Sequence, residues 1–273
     1  MPFTISRSLE LQPSAVVVTW SEDAGRLGPQ VIEYLNRNLH TQIFAELDPA
    51  GFFSLGGVSV EDDVAQFPET TFYCCEDKNL VTFKSSSPAS DWYRFLEAVL
   101  DVAQYYCHVT EIYTVGGMLA PTAHTNPRGI AAISNCSKMT AILTQHGVVT
   151  EFDYTTPPDQ RPSLSSFLLW AAQRRNIPAA TLWVPQPFYL AQAGDAEACC
   201  KTIEFFDERL NLAIDFTELR QNVARQNSQI TELRNLLPEV DSSITKVENN
   251  LGLTQEENTR LIKEVDRLLK QIR

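Results

Sequence analysis

The stretch Glu111-Ile112-Tyr113-Thr114-Val115-Gly116-Gly117-Met118-Leu119-Ala120-Pro121-Thr122-Ala123-His124-Thr125-Asn126-Pro127 decides the fold. Its first five residues form a β-branched and aromatic run that stops at a glycine pair. That is the pattern of a buried strand entering a loop, because glycine lets the backbone turn sharply or approach a ligand closely. The reading places a central, buried parallel strand over residues 111–115 and starts a loop at Gly116 and Gly117. The loop sets a lone imidazole, His124, between Pro121 and Pro127, where open α/β sheets keep their ligand crevice.

On either side of this strand the same two signals alternate. Residues 15–20 are a β-branched run, followed by a polar loop over 21–28 and a helix whose first turn holds Pro29. Strand patterns at 41–46, 58–64, 70–75 and 79–84 come too close together for helical crossovers, so a short antiparallel insertion is expected. A serine-rich break at 85–91 leads into a helix over 92–107. Beyond the central stretch, strands are expected at 129–134, 148–152 and 179–184. Helices are expected at 137–146, 164–175 (capped by Ser163) and 195–210, with a Pro/Thr-rich loop over 154–162. This alternation predicts an α/β fold: a mostly parallel sheet covered by helices on both faces.

From Phe216 the period changes to seven. Phe216, Val223, Ile230, Leu237, Ile244, Leu251, Asn258, Val265 and Ile272 alternate with Leu219, Gln226, Leu233, Val240, Val247, Thr254, Leu261 and Leu268 in an a/d heptad pattern. Pro238 interrupts a continuous helix, Gly252 can end one, and Thr254 with Glu257 forms a capping box that starts another. The expected organisation is a core domain over 1–215 and a helical extension over 216–273, kinked and folded back near residues 250–252 as a hairpin. Its seam, Ile230, Leu233, Leu237, Val240, Ile244, Val247 and Leu251, is expected to contact another protein surface, foremost a second copy of the chain.

Composition narrows the function classes. A formal charge of -12 argues against a nucleic-acid partner, which needs a Lys/Arg patch. Residues 1–12 lack the pattern of a signal peptide, and no apolar run approaches the ~20 residues that cross a bilayer, so a cytoplasmic protein with no membrane partner is expected. The cysteines fall as Cys74-Cys75, Cys199-Cys200, Cys107 and Cys136, without metal or redox spacing, and read as reduced thiols in or near the core. The four histidines show no ligand spacing, and neither a metal nor a cofactor is expected.

Polar groups at the predicted strand ends define two readings of a site. His124 with Asp23 or Asp48 can serve as an acid/base set, since imidazole titrates near neutrality. Trp20, Gly25, Gly116, Gly117 and Gln186 lie on loops at the same end of the sheet and are the ligand-binding candidates. No G-x-S-x-G or H-E-x-x-H motif accompanies them, and the loop after the first strand lacks both G-x-G-x-x-G and G-x-x-x-x-G-K-[ST]. A loop histidine bonded to its surroundings is favoured over catalysis.

Several short blocks together resemble a known family. They are Trp20 to Gly25 with its Asp-Ala-Gly, Glu46 to Pro49 followed by Phe52-Phe53, and Trp92 with Phe95. Further along come Gly116 to Ala120 before His124-Thr125-Asn126-Pro127, Leu182 to Pro185 with Tyr189, and residues 215–219. In order and spacing they are similar to the proteasome assembly chaperone family: bacterial and archaeal homologues of the eukaryotic proteasome assembly chaperone two. The resemblance implies a phosphorylase/hydrolase-like three-layer α/β sandwich with a C-terminal helical hairpin or coiled-coil extension. It also implies homo-oligomers and, for characterised relatives, help in assembling proteasome rings. Asn126 stands where the family has an arginine, and residues 270–273 lack the hydrophobic-Tyr-any ending by which some relatives dock. The expected function is that of a non-catalytic assembly or interaction protein with an unknown client. The alternative is a hydrolase- or phosphorylase-like enzyme on a small metabolite, built around His124.

Overall fold

A computed structural model describes residues 2–12, 14–53, 59–61, 64–66, 68–151 and 162–270. In chain order the elements are β1 (Phe3–Ile5), β2 (Ser14–Trp20), α1 (Leu27–Asn38), β3 (Gln42–Leu47), β4 (Ser59–Glu61), β5 (Val64–Gln66), β6 (Thr70–Cys75), β7 (Leu80–Ser85) and α2 (Trp92–Tyr105). They continue with β8 (Val109–Ala120), β9 (Ala131–Ser134), α3 (Ser137–Gln145), α4 (Leu164–Arg174), β10 (Ala179–Pro187), α5 (Ala196–Leu210), α6 (Thr217–Leu236), α7 (Pro238–Glu248) and α8 (Gln255–Lys270).

Eight strands form one mixed, mostly parallel sheet in the order β1-β3-β6-β7-β2-β8-β10-β9, within a three-layer α/β fold. β2 runs parallel to both β7 and β8, and every one of its residues is buried, which explains a run with no polar alternation. The closely spaced strands are antiparallel, as their short links require: β3 pairs with β6, β6 with β7, and β4 with β5 as a separate hairpin. The expected strand over 58–64 and the loop over 154–162 lie partly or largely outside the described residues. The strand expected at 148–152 is represented there by a single parallel bridge, Ala131 to Val149.

The organising strand is interior, but it does not stop at its glycines. β8 continues through Gly116 and Gly117 to Ala120. The expected loop start is therefore corrected: a Cβ at Gly117 would meet the Ala24 carbonyl oxygen at 2.2 Å, so the glycine permits a close approach within a strand and makes no turn.

The chain forms two compact units that interleave along the sequence. The first takes Met1–Glu22, Ile32–Val115 and Ala131–Leu182, and the second takes Asp23–Val31, Gly116–Ile130 and Trp183–Arg273. This differs from a boundary at 215, because the tail packs with loops that precede it. The first unit is centred on aromatic rings: Phe72 and Phe83 lie 4.2 Å apart, and Phe95 makes edge contacts with Phe52 and Phe53. All six cysteines are reduced, and Cys74, Cys107, Cys199 and Cys200 are buried.

The second unit holds the heptad seam. Ile230, Leu233, Val240, Ile244 and Val247 join Leu261, Val265, Ala123, Tyr189 and Leu190 in one buried cluster, with Leu237 partly buried against it. Of the seven seam residues only Leu251 is exposed, at 60%. The chain turns between α7 and α8 over residues 249–254, near the expected fold-back, but the expected kink is a full break, so the extension is three helices. Pro238 at the first position of α7 loses no hydrogen bond there and holds Leu237 extended (φ -124°), so the chain breaks fully at that point and the apolar stripe wraps onto itself. Thr254 and Glu257 do form the reciprocal cap, with Thr254 N donating to Glu257 Oε2 at 2.9 Å and Glu257 N to Thr254 Oγ1 at 3.3 Å.

Candidate functional site

Two polar centres lie within the second unit. The first is built by the loop before α1. Asp23 Oδ2 accepts from Gly28 N at 2.9 Å, and its Oδ1 accepts from Gly117 N at 2.8 Å, fastening this loop to β8. Gly25 adopts φ +72°, and a Cβ there would lie 1.9 Å from Gln186 Oε1; a Cβ at Gly117 would lie 2.9 Å from Gln186 Nε2. The Gln186 amide thus sits between two glycines that only a bare backbone can supply. Gly116 completes the wall, since its Cβ would meet Asp23 Oδ1 at 2.9 Å. Burial raises the Asp23 carboxyl to about 6, and the N–H groups of Gly28, Gly117, Leu27 and Ala24 oppose this only in part.

Of the expected ligand residues, Gly25, Gly116, Gly117 and Gln186 therefore converge, and Asp23, expected in an acid/base set, joins them. Trp20 belongs to the first unit, where its indole N–H donates to Ser165 Oγ at 2.8 Å and its ring packs on Phe83 and Phe95. Asp48 also lies in the first unit and caps a single 3-10 turn, accepting from Ala50 N at 2.9 Å.

The second centre surrounds His124. Its backbone N–H donates to Tyr189 Oη at 2.7 Å, and its Nδ1 lies 2.9 Å from the same oxygen. Which of the two donates depends on the ring tautomer, and in either tautomer Nδ1 is engaged by the Tyr189 hydroxyl. Burial, helped by the nearby Arg234 and Arg128, lowers His124 to about 4. His124 is thus a satisfied core histidine bonded to Tyr189, and Asp23 is fastened by backbone groups.

Beneath the His124 loop runs a salt bridge between Arg128 Nε and Asp195 Oδ2 at 2.7 Å, with both side chains almost wholly buried. Arg128 also donates to the carbonyl oxygens of Ala123, His124 and Asn126, and Asp195 Oδ1 caps α5 at Glu197 N and Ala198 N. Sequence reasoning treated Asp195 only as a helix start and passed over Arg128. The signal was an arginine two residues beyond Asn126, close to the position at which the family pattern carries one.

These two titrations oppose each other. The His124 pKa falls from 6.5 to about 4 on folding, so its contribution is present above 6.5 and is lost as pH drops toward 4. The Asp23 pKa rises from 3.8 to about 6, so its contribution is complete below 3.8 and is lost as pH climbs through 6. Each amounts to about 3 kcal/mol. Asp23→Asn is therefore expected to steepen the loss of stability between pH 6 and 4, and His124→Asn to reverse its sign, in urea midpoints taken across that range. Parallel profiles in all three proteins would contradict this account.

The second unit also carries a groove of about 480 Å³, lined by Leu119, Pro121, Phe188, Leu251 and Leu253 together with neutral asparagines. No group of three His, Cys, Asp or Glu among the described residues is placed to hold a metal. No helix among them is long and apolar enough to cross a membrane.

A family model, the PAC2 family, matches residues 21–234. The chain belongs to the PAC2 family. Solved structures with the same fold include a Corynebacterium glutamicum protein of unknown function (17% identity, TM-score 0.76, 97% of this chain and 100% of that one). A Mycobacterium tuberculosis proteasome-assembly chaperone homologue aligns at 19% identity and TM-score 0.67, covering 80% of this chain and 94% of its own. A Pyrococcus furiosus archaeal proteasome activator aligns at 17% identity and TM-score 0.65, covering 85% and 98%. Among curated proteins nothing matches. The PAC2 match spans both polar centres and most of α6, and it ends before α7 and α8.

Proposed function

We propose that this PAC2 protein is a non-catalytic assembly protein of the cytoplasm that acts as a homo-oligomer on other protein chains. The observation that carries this is the family match, supported by solved relatives of the same fold described as a proteasome-assembly chaperone homologue and a proteasome activator. His124 adds to it: its ring is buried and its Nδ1 is hydrogen-bonded with Tyr189, which speaks against the enzyme reading built on that residue. With the heptad seam buried internally, self-association falls to another surface. The groove beside Leu119 and Leu251 suits it, because its lining has no charged residue, whereas a chain of charge -12 repels its copy elsewhere.

Light scattering is expected to give a multimer that Leu251→Glu dissociates without loss of thermal stability, since that side chain is exposed. A monomeric wild-type chain would refute the oligomer. Purified proteasome α-subunits mixed with the chain test the assembly role: faster ring formation supports it, and unchanged ring yield counts against it.

A further inference from the structure

The layer formed by α2 and α4 departs from the charge of the rest of the chain. The sequence has 34 acidic residues against 22 basic ones, yet residues 162–176 contain Arg174 and Arg175 and no carboxylate. α2 contributes Arg94 and two acids, Glu97 and Asp101, and Arg175 takes both: its Nη1 lies 2.8 Å from Asp101 Oδ1, and its Nη2 bonds to Glu97 Oε2. Asp91, before α2, caps that helix at Arg94 N. That leaves Arg94 and Arg174 without an ion pair among the described residues.

Beside Arg174 lies a stack of rings. Phe167, Trp170 and Arg174 share one face of α4, spaced three and four residues apart. The Phe167 and Trp170 rings stack at 5.1 Å, Tyr93 of α2 packs 6.0 Å from Trp170, and the Arg174 guanidinium covers Trp170 at 5.1 Å. Trp170 nevertheless stays 41% exposed and Tyr93 46%. Single exposed apolar residues are ordinary on a protein surface, but contiguous aromatic rings with an unpaired arginine have the composition of an interface hot spot. All of these residues lie in the first unit.

The same groups select the partner. A guanidinium resting on a ring gives that ring only its face and keeps its in-plane N–H donors for a carboxylate. The exposed rings can cover an apolar side chain beside it. Phosphate backbones and anionic bilayers need a broader basic surface, and a chain of charge -12 repels them, whereas a short protein segment with few carboxylates meets little repulsion. We propose that the face of Tyr93, Trp170 and Arg174 docks a short acidic segment of a partner protein, with an Asp or Glu carboxylate on Arg174 and a neighbouring apolar side chain on Trp170 and Tyr93. The assignment rests on the reading above that the chain acts on other protein chains, and it says where one is held.

The test is selection of a display library of random short peptides on the full chain, followed by calorimetry of a selected peptide with the wild type and with Trp170→Ala and Arg174→Glu. Both side chains are exposed, so the variants are expected to fold; should Trp170→Ala fail, Arg174→Glu carries the test. The wild type is expected to enrich peptides that join Asp or Glu to aromatic or aliphatic residues, and either variant to bind the selected peptide about tenfold or more weakly. A version with Lys in place of its acids is expected to prefer Arg174→Glu over the wild type. No enrichment, peptides without carboxylates, or binding undiminished in both variants overturns the proposal. So does Trp170-dependent binding of phosphatidylglycerol vesicles or of a single-stranded oligonucleotide in place of a peptide. Loss of the light-scattering multimer in Arg174→Glu also overturns it, by making the face a contact between copies. Ring formation from proteasome α-subunits separates the two readings: unchanged ring yield together with peptide binding that needs Trp170 and Arg174 counts against the assembly role alone, and faster rings that neither variant slows count against this face alone.

Discussion

A chain cut after Asp215 is expected to lose the packing of the second unit around Ala123, Tyr189 and Leu190, not to shed a dispensable arm. The cut removes Ile230, Leu233, Val240, Ile244, Val247, Leu261 and Val265, which are buried against Ala123, Tyr189 and Leu190. At ~1.5 kcal/mol or more for each fully buried aliphatic side chain, the lost burial is on the order of 10 kcal/mol, comparable with the whole stability of a typical domain. What remains of the unit, Asp23–Val31, Gly116–Ile130 and residues 183–215, keeps α5 but loses the helices that bury Ala123, Tyr189 and Leu190. Limited proteolysis and near-UV circular dichroism should show His124 and its loop accessible and the tertiary signal reduced. A truncated chain that melts at the wild-type temperature would contradict the packing described above.

Arg128→Ala is expected to cost about 3 to 5 kcal/mol, because it leaves the Asp195 carboxylate buried without its cation. The loss has a second part, since three loop carbonyls lose their donor. Arg128→Met combined with Asp195→Asn is expected to recover much of the deficit. It removes the stranded charge, while an asparagine can still cap α5. Urea midpoints for the two variants decide the matter: a cost below about 1 kcal/mol for Arg128→Ala would mean that the pair is solvated in solution.

What could be read from the residues followed from how local each signal is. The valine run of β2 and the Ser163 cap announce themselves within a few positions, and both stand where expected. Gly116 and Gly117 were recognised as important but given the wrong reason. A glycine pair looks the same whether it turns or admits a neighbour, and the neighbour, the Ala24 carbonyl, lies far away in sequence. The heptads located the helical layer but not its partner, because an apolar stripe carries no mark of whether it will meet its own chain or another. Four of the five expected ligand residues came together because strand-end loops converge in α/β sheets. The His124–Tyr189 and Arg128–Asp195 pairs, 65 and 67 positions apart, left no local trace of their partnership.

The interleaving of the two units sets a timetable for the ribosome. Every segment of the first unit has been translated by Leu182, whereas the second waits for Val265 on α8 to close its cluster. At roughly 5 to 20 residues per second, the nascent chain carries Ala123 and its neighbours uncovered for several seconds after the strands of the first unit are in place. A protein laid out this way acquires its helical layer only at release, so stalled or prematurely terminated chains would display an apolar surface that the finished molecule conceals.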